Sequence, residues 1–211
     1  MRPIRIALTK GRLEKNTVGL FEKMGLDCNE LKNKGRKLIL PMSGYEVVLA
    51  KAPDVITYIE HGVCDIGVVG KDTIVEHGGS FYEVLDLRMG KCRFALAGRL
   101  GDSFFEGFSA KTVATKYPGV TREFFAGKGM DVRIIKIEGS VELAPLLDLA
   151  DAIVDIVETG STLKENGLEI IEEIMPISAR VIVNIASMKL RKAEIEELLN
   201  GIERAVNNAE V

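Results

Sequence analysis

The stretch Val154 to Leu163, VDIVETGSTL, gathers residue types that hold an oxyanion. A β-branched apolar run, Ala152 to Val157, gives way to Glu158, Thr159, Gly160, Ser161, Thr162 and Leu163, so a strand enters a helix through a small, hydroxyl-rich loop. The first N–H groups of a helix lack intrahelical partners, and the dipole there favours negative charge. Gly160 lets backbone approach such a ligand, while Thr159, Ser161 and Thr162 add hydroxyl donors. That chemistry suits a phosphate. Helix capping alone would account for one or two of the hydroxyls. Asp155 is a charge inside the apolar strand. A carboxylate at the end of a parallel strand can accept hydrogen bonds from vicinal sugar hydroxyls; the structural alternative is a nearby lysine or a backbone amide.

A second candidate lies near the N-terminus, where the run Ile4 to Leu8 ends in Thr9, Lys10, Gly11 and Arg12 ahead of an amphipathic stretch. Arginine grips oxygens in pairs and lysine acts as a mobile point charge, a combination suited to a diphosphate. Solvated surface charge is the alternative. Arg36 and Lys37, before Leu38 to Leu40, would add charge to the same site. Other segments carry less chemistry. His61 and His77 each precede a glycine at an expected helix end, where histidine meets the helix dipole. No His, Cys and carboxylate set has metal-ligand spacing, so no dedicated metal site is expected. Gly127 and Gly129 lack the third glycine and the preceding strand of a dinucleotide fingerprint, and no serine nucleophile elbow occurs.

These segments need a scaffold, and the chain has the length for one. Its 211 residues, 46% hydrophobic and 28% charged with a net charge of -3, describe an ordinary globular protein that needs no disulfide or metal to fold. With 28 Lys+Arg dispersed among 31 Asp+Glu, nothing marks a nucleic-acid binder. Cys28, Cys64 and Cys92 are far apart and odd in number, which reads as reduced structural thiols. No apolar stretch approaches membrane-spanning length, and the chain runs from Met1 straight into its first strand, so a cytoplasmic location is expected.

Short β-branched runs alternate with amphipathic helical stretches, which predicts α/β units with largely parallel sheets. Strands are expected at Ile4 to Leu8, Val47 to Ala50, Ile66 to Val69, Arg93 to Ala97, Thr112 to Thr115, Val132 to Ile137, Ala152 to Val157 and Arg180 to Ile185. Helical spacing recurs in Leu13, Thr17, Leu20, Phe21 and Met24, in Val55, Ile56, Ile59 and Val63, and in Ile195, Leu198, Leu199, Ile202 and Val206. Crossings near Leu87 to Lys91 and Ile174 to Arg180 divide the chain into a discontinuous α/β lobe, residues 1–90 plus 178–211, and a second lobe, residues 91–177. Ligands of such folds bind at strand carboxyl ends, which puts the expected site in the interlobe cleft.

Taken together and in order, LTKGRL, GRKLILP, YIEHGVCDIGVVGKD, ATKYP and EGSVELAPLLDLADAIVDIVETGSTL resemble the ATP phosphoribosyltransferase family over the whole chain. Lys51 stands where the family is expected to have arginine and Ile56 where proline is common. The resemblance implies a two-lobed, type II periplasmic-binding-protein-like fold. It also implies the first reaction of histidine biosynthesis, in which adenine N1 of ATP attacks C1 of phosphoribosyl pyrophosphate and expels magnesium pyrophosphate. By that resemblance Thr159, Gly160, Ser161, Thr162 and Leu163 hold the 5-phosphate, Glu138 and Asp155 the ribose hydroxyls or substrate-borne magnesium, and Arg12, Arg36 and Lys10 the departing pyrophosphate. Gly11, Asp72 and Tyr117 are candidates for ATP. The length matches short family members, which implies a hetero-oligomer with a separate regulatory subunit resembling histidyl-tRNA synthetase. The main rival is a non-catalytic solute-binding protein of the same fold. The common phosphoribosyltransferase type is disfavoured because Ile156, not a second acid, follows Asp155; hydroxymethylbilane synthase needs a cysteine-anchored cofactor.

Overall fold

The computed structural model describes residues 2–107 and 109–208. Residue 1 and residues 209–211, the outermost positions of the expected first lobe, lie outside them. The chain divides into two compact units, Met1–Gly90 with Ser178–Val211, and Lys91–Ile177.

The first unit opens with β1 (Arg5–Thr9), α1 (Arg12–Lys23), α2 (Asn29–Lys32), β2 (Ile39–Met42), β3 (Tyr45–Ala50), α3 (Ala52–Glu60), β4 (Ile66–Gly70), α4 (Lys71–His77) and β5 (Phe81–Asp86). The second holds β6 (Cys92–Arg99), β7 (Lys111–Thr115), α5 (Pro118–Gly127), β8 (Val132–Lys136), α6 (Leu143–Leu146), β9 (Ala152–Val157), α7 (Ser161–Glu165) and β10 (Leu168–Ile177). The chain then re-enters the first unit as β11 (Ala179–Asn184), α8 (Ile185–Leu190) and α9 (Lys192–Asn207).

Each unit is built on one sheet, of order β2-β3-β1-β4-β11-β5 in the first and β10-β6-β9-β7-β8 in the second. The expectation of largely parallel sheets fails. Among the described residues only β1 with β3 and β4, and β7 with β8 and β9, pair in parallel; the remaining pairs are antiparallel. Parallel pairing needs a long crossover, whereas β2 and β3 are joined only by Ser43 and Gly44, both at positive φ, a tight hairpin. Strands β5 and β10 are additions to the sequence-based set, β2 forms from the run that begins at Leu38 to Leu40, and Ile185 begins α8 rather than ending a strand.

Apolar stripes explain how the helices pack. Val18, Leu20 and Phe21 of α1 and Ile195, Leu198, Leu199 and Ile202 of α9 join Ile6, Leu8, Val47 and Val68 in one core. Val55, Ile56 and Ile59 of α3 cover the other face with Ala7, Val69 and Ile182. Truncating a side chain as enclosed as Phe21, 0% exposed, would cost roughly 3 to 5 kcal/mol. One charge is buried with these elements. Asp65, 1% exposed, accepts hydrogen bonds from Arg2 Nη1 (2.6 Å) and Nη2 (3.0 Å), the Arg5 amide (2.9 Å) and the Ser187 hydroxyl (2.7 Å). Burial pushes this carboxyl up, but the Arg2, Arg5 and Ser187 donors outweigh burial and hold it below its ordinary value.

Candidate functional site

Three parallel strands of the second unit end together. Pairing of Thr115 with Lys136 and with Val154 aligns the carboxyl ends of β7, β8 and β9, where ligands of open α/β sheets bind. The chain leaving β7 supplies Lys116 and Tyr117, that leaving β8 supplies Glu138, and that leaving β9 supplies Glu158 to Leu163. Thr115 shapes the first exit: its hydroxyl donates to the Val154 carbonyl at 2.7 Å and accepts from the Tyr117 amide at 2.8 Å.

A pocket of about 330 Å³ opens here, lined by Ala95 and Ala97 of β6, Ile153 and Asp155 of β9, Glu142, and the loop through Leu163. Its volume follows from the sequence of β6: small alanines oppose Asp155 and Ile153 across the β6–β9 ladder and leave room above the sheet. Strand alternation puts Asp155 on the same face as Ile153 and Val157, both core residues. Burial therefore raises the Asp155 carboxyl above its ordinary value, and Glu142 adds to the rise. The Ile156 amide and Lys116 act in the opposite direction.

The loop itself is tightly formed. Gly160 sits at φ 81, a left-handed conformation that glycine adopts without strain, and caps α7. The Thr159 and Ser161 hydroxyl oxygens lie 2.9 Å apart, and the Ser161 amide donates to Thr159 Oγ1 at 3.3 Å. The first helical bond runs from Lys164 N–H to the Gly160 carbonyl at 3.1 Å, leaving the Thr162 and Leu163 amides for an anion. Because α7 has only five residues, its macrodipole is weak, and these amides and hydroxyls are the donors the loop could offer an anion.

Other predicted residues fall in distinct places. Glu138 is exposed, is not among the pocket's lining residues, and pairs with Lys136 at 2.8 Å. Its carboxyl is lowered by Lys136 first and also by Lys116. Tyr117 caps α5 and packs edge-on against Phe94, centroids 4.8 Å apart. Sequence reasoning missed Glu142 and Lys116, which the ends of β7 and α6 bring beside Asp155. The signal was present in the EGSVE and ATKYP segments, which carry both residues.

In the first unit, Lys10 follows β1 and anchors its own amide to the Ala50 carbonyl at 2.9 Å. Gly11, at φ 104, turns the chain into α1, which begins at Arg12. Lys10, Arg12 and Arg36 have exposed side chains; among the described residues those of Lys10 and Arg36 make no hydrogen bond or ion pair. Glu14 is buried, accepts from the Gly11 amide at 3.4 Å, and pairs with Lys34, two residues before Arg36. Asp72 occupies the first turn of α4, half-buried, and accepts from the Thr73 hydroxyl at 3.4 Å. Lys51 is exposed at the N-cap of α3. His61 caps α3 and His77 ends α4. All three cysteines are free; burial pushes the Cys64 thiol up to about 11, which makes it an inert core residue. Among the described residues no group of three or more His, Cys, Asp or Glu could hold a metal, and no helix is long and apolar enough to cross a membrane.

Two mixed sheets, each layered with helices, one unit inserted into the other, define an α/β protein of the type II periplasmic-binding-protein class. The likeness extends over 96% of the chain to the periplasmic aliphatic sulphonate binding protein of Escherichia coli (TM-score 0.59, 12% identity, 72% of that chain), at the level of fold alone. Residues 51–204 match the ATP phosphoribosyltransferase family, and the chain belongs to that family. It is 61% identical to the ATP phosphoribosyltransferase of Clostridium kluyveri over 99% of this chain and 96% of that protein. It is 62% identical to that of Clostridium acetobutylicum over 97% of this chain and 96% of that one. Among solved structures, it resembles a chain of the ATP phosphoribosyl transferase (HisG:HisZ) complex from Thermotoga maritima, with TM-score 0.85 and 35% identity over 97% of this chain and 99% of that one. The chain is therefore a transferase acting on phosphoribosyl groups, not a solute receptor of the same fold.

Proposed function

We propose that this chain joins N1 of ATP to C1 of 5-phosphoribosyl 1-pyrophosphate, with inversion at C1 and release of pyrophosphate, the first step of histidine biosynthesis. The observation that carries the assignment is the second-unit pocket, which sets a loop of hydroxyls and free amides beside the half-buried carboxylate of Asp155. The 5-phosphate takes the amides of Thr162 and Leu163 and the hydroxyls of Thr159, Ser161 and Thr162, while Gly160 keeps the loop open to it. Asp155 accepts from the ribose hydroxyls, helped by Glu142. Glu138, exposed at the same strand ends, meets the magnesium that arrives on the donor's diphosphate, since this hard ion keeps much of its water and needs few protein ligands.

Charge gathers on the pyrophosphate as its bond to C1 breaks. Cations already in place favour that transition state over the ground state, each contact being worth on the order of 3 kcal/mol. Arg12 and Arg36 take this role, with Lys10 assisting. Adenine N1 is an unprotonated lone pair near neutral pH, so no general base is needed. Gly11, Asp72 and Tyr117 position ATP; the Tyr117 ring, held against Phe94, offers an aromatic edge for a base. Since a 35% identical chain was solved as a HisG:HisZ complex, a separate regulatory subunit of histidyl-tRNA-synthetase type completes a hetero-oligomer in the cytoplasm.

The test is to mix the chain with ATP, phosphoribosyl pyrophosphate and Mg²⁺, with and without that subunit, and to follow adduct and released pyrophosphate. Both products in equal amounts are expected. Binding of either substrate without pyrophosphate release under both conditions would sink the enzyme assignment and favour a receptor.

A further inference from the structure

Glu14 is a carboxylate where a carboxylate is costly. It lies on the first turn of α1, 5% exposed, and each of its oxygens serves a different loop. Oε2 accepts from the Gly11 amide at 3.4 Å, between Lys10 and Arg12. Oε1 pairs with the ammonium of Lys34 across twenty residues of sequence. Lys34 in turn opens a turn closed by Lys37 N–H to the Lys34 carbonyl at 3.0 Å, with Gly35 at φ 55 and Arg36 at its third position. Glu14 thus ties the loop bearing Lys10 and Arg12 to the loop bearing Arg36.

Helix capping explains only one arm of this arrangement. The amide contact is long for a hydrogen bond, and a short serine or aspartate at the N-cap would satisfy the helix without burying a charge. The ionic arm reaches away from the helix, to a residue that α1 does not need. We propose that the Glu14–Lys34 pair is a positioning device for the reaction: it fixes the two loops whose cations receive the departing pyrophosphate. The inference rests on the assignment of Lys10, Arg12 and Arg36 to the leaving group made above. Charge explains why the positioning is indirect. A carboxylate placed against Arg36 itself would neutralise it, whereas a pair that is neutral overall holds the loops and leaves the side chains of Lys10 and Arg36 uncommitted among the described residues.

Misplacement of a transition-state contact by an ångström costs about a hundredfold in rate, so loosening one loop should cost about ten- to a hundredfold. The experiment measures turnover and the ATP KM for Glu14→Gln, Lys34→Met, Lys34→Arg and Arg36→Ala, and for Glu14→Gln combined with Arg36→Ala, under whichever mixing condition above gives adduct. Glu14→Gln and Lys34→Met should each lower kcat by about tenfold or more with ATP KM changed less than about threefold, and Lys34→Arg should keep most of the rate. In the Arg36→Ala background the further loss from Glu14→Gln should shrink to less than about threefold, because the strut no longer has that cation to hold. Should Glu14→Gln unfold the chain, Lys34→Met, which leaves the helix cap in place, carries the test alone. A full, multiplicative loss in the double variant, or wild-type turnover in Lys34→Met, overturns the positioning role while leaving the site assignment standing. Unchanged turnover in Arg36→Ala overturns the leaving-group assignment, and the strut with it.

Discussion

Replacing Asp155 by asparagine should make the protein more stable and less active at once. In the pocket the carboxylate faces an apolar sheet surface between Ile153 and Val157, and among the described residues no cation forms an ion pair with it. Burial raises its folded-state value above the ordinary one, so the folded chain binds this proton more readily than the unfolded chain. Folding is therefore favoured most below the ordinary carboxylate range, and the advantage is lost as pH rises through the raised value. Asparagine carries no charge at any of these pH values. The two proteins should melt alike in acid, and the variant should gain toward neutrality by roughly 1 kcal/mol, a rise of about 2 to 4 °C for a chain of this size. Activity moves the other way. A charge-assisted hydrogen bond is worth about 1.5 to 3 kcal/mol, and an amide retains part of it; a net loss near 2 kcal/mol lowers kcat/KM for the phosphoribosyl donor roughly 30-fold. Thermal unfolding from about pH 3 to 8 and donor kinetics at saturating ATP measure both. A variant that melts lower at neutral pH with normal donor kinetics would refute the ribose role and make Asp155 a structural residue.

Two further outcomes are expected. Gly160→Ala places a Cβ at φ 81, costing about 1 to 2 kcal/mol, with only an ordinary 3.8 Å contact to Val157; the donor KM should rise while the ATP KM holds, and equal shifts in both would count against the phosphate loop. Asp65→Asn removes the charge and one of the two acceptor oxygens shared by Arg2, Arg5 and Ser187 and should destabilise folding by roughly 3 kcal/mol, the low end for a buried pair because Arg2 can turn to solvent. As the Asp65 carboxyl is held below its ordinary value, its contribution is present above the ordinary carboxylate range and fades as pH falls through the lowered value, so wild type and variant should converge in acid.

The helical stripes of α1, α3 and α9 were legible because a 3.6-residue period survives in the residues that reach the core. Strand β10 was not, and its register explains why. Shifts between Ile170 and Glu172 and between Glu173 and Met175 break the alternation that identifies a strand. Glu172 and Glu173 then face Lys128 and Arg93, charges that suit an exposed sheet edge but read as loop or helix in one dimension. Strand β5 is the other sheet's edge and is half-exposed along its length, so it too lacks a clear apolar face. The loop after β9 could be read because its residues are contiguous. Glu142 and Lys116 could not be placed, since only the alignment of β7 with β9 and the short turn of α6 bring them to Asp155.

The position of β11 carries a consequence for how the molecule is made. It lies between β4 and β5, and among the described residues β5 has no other neighbour in its sheet. On the ribosome, β4 and β5 emerge long before it, and the whole of Lys91–Ile177 is synthesised in between. The second unit, one uninterrupted stretch, has all its strands available first and can close while β5 waits without a sheet and β4 keeps an open edge. Ser187 and Arg191, which face Asp65, also arrive only with this last segment. The nascent first unit is thus an incomplete sheet exposed to mispairing until the final strand is threaded in, and that interval is when a chaperone would matter most to this chain.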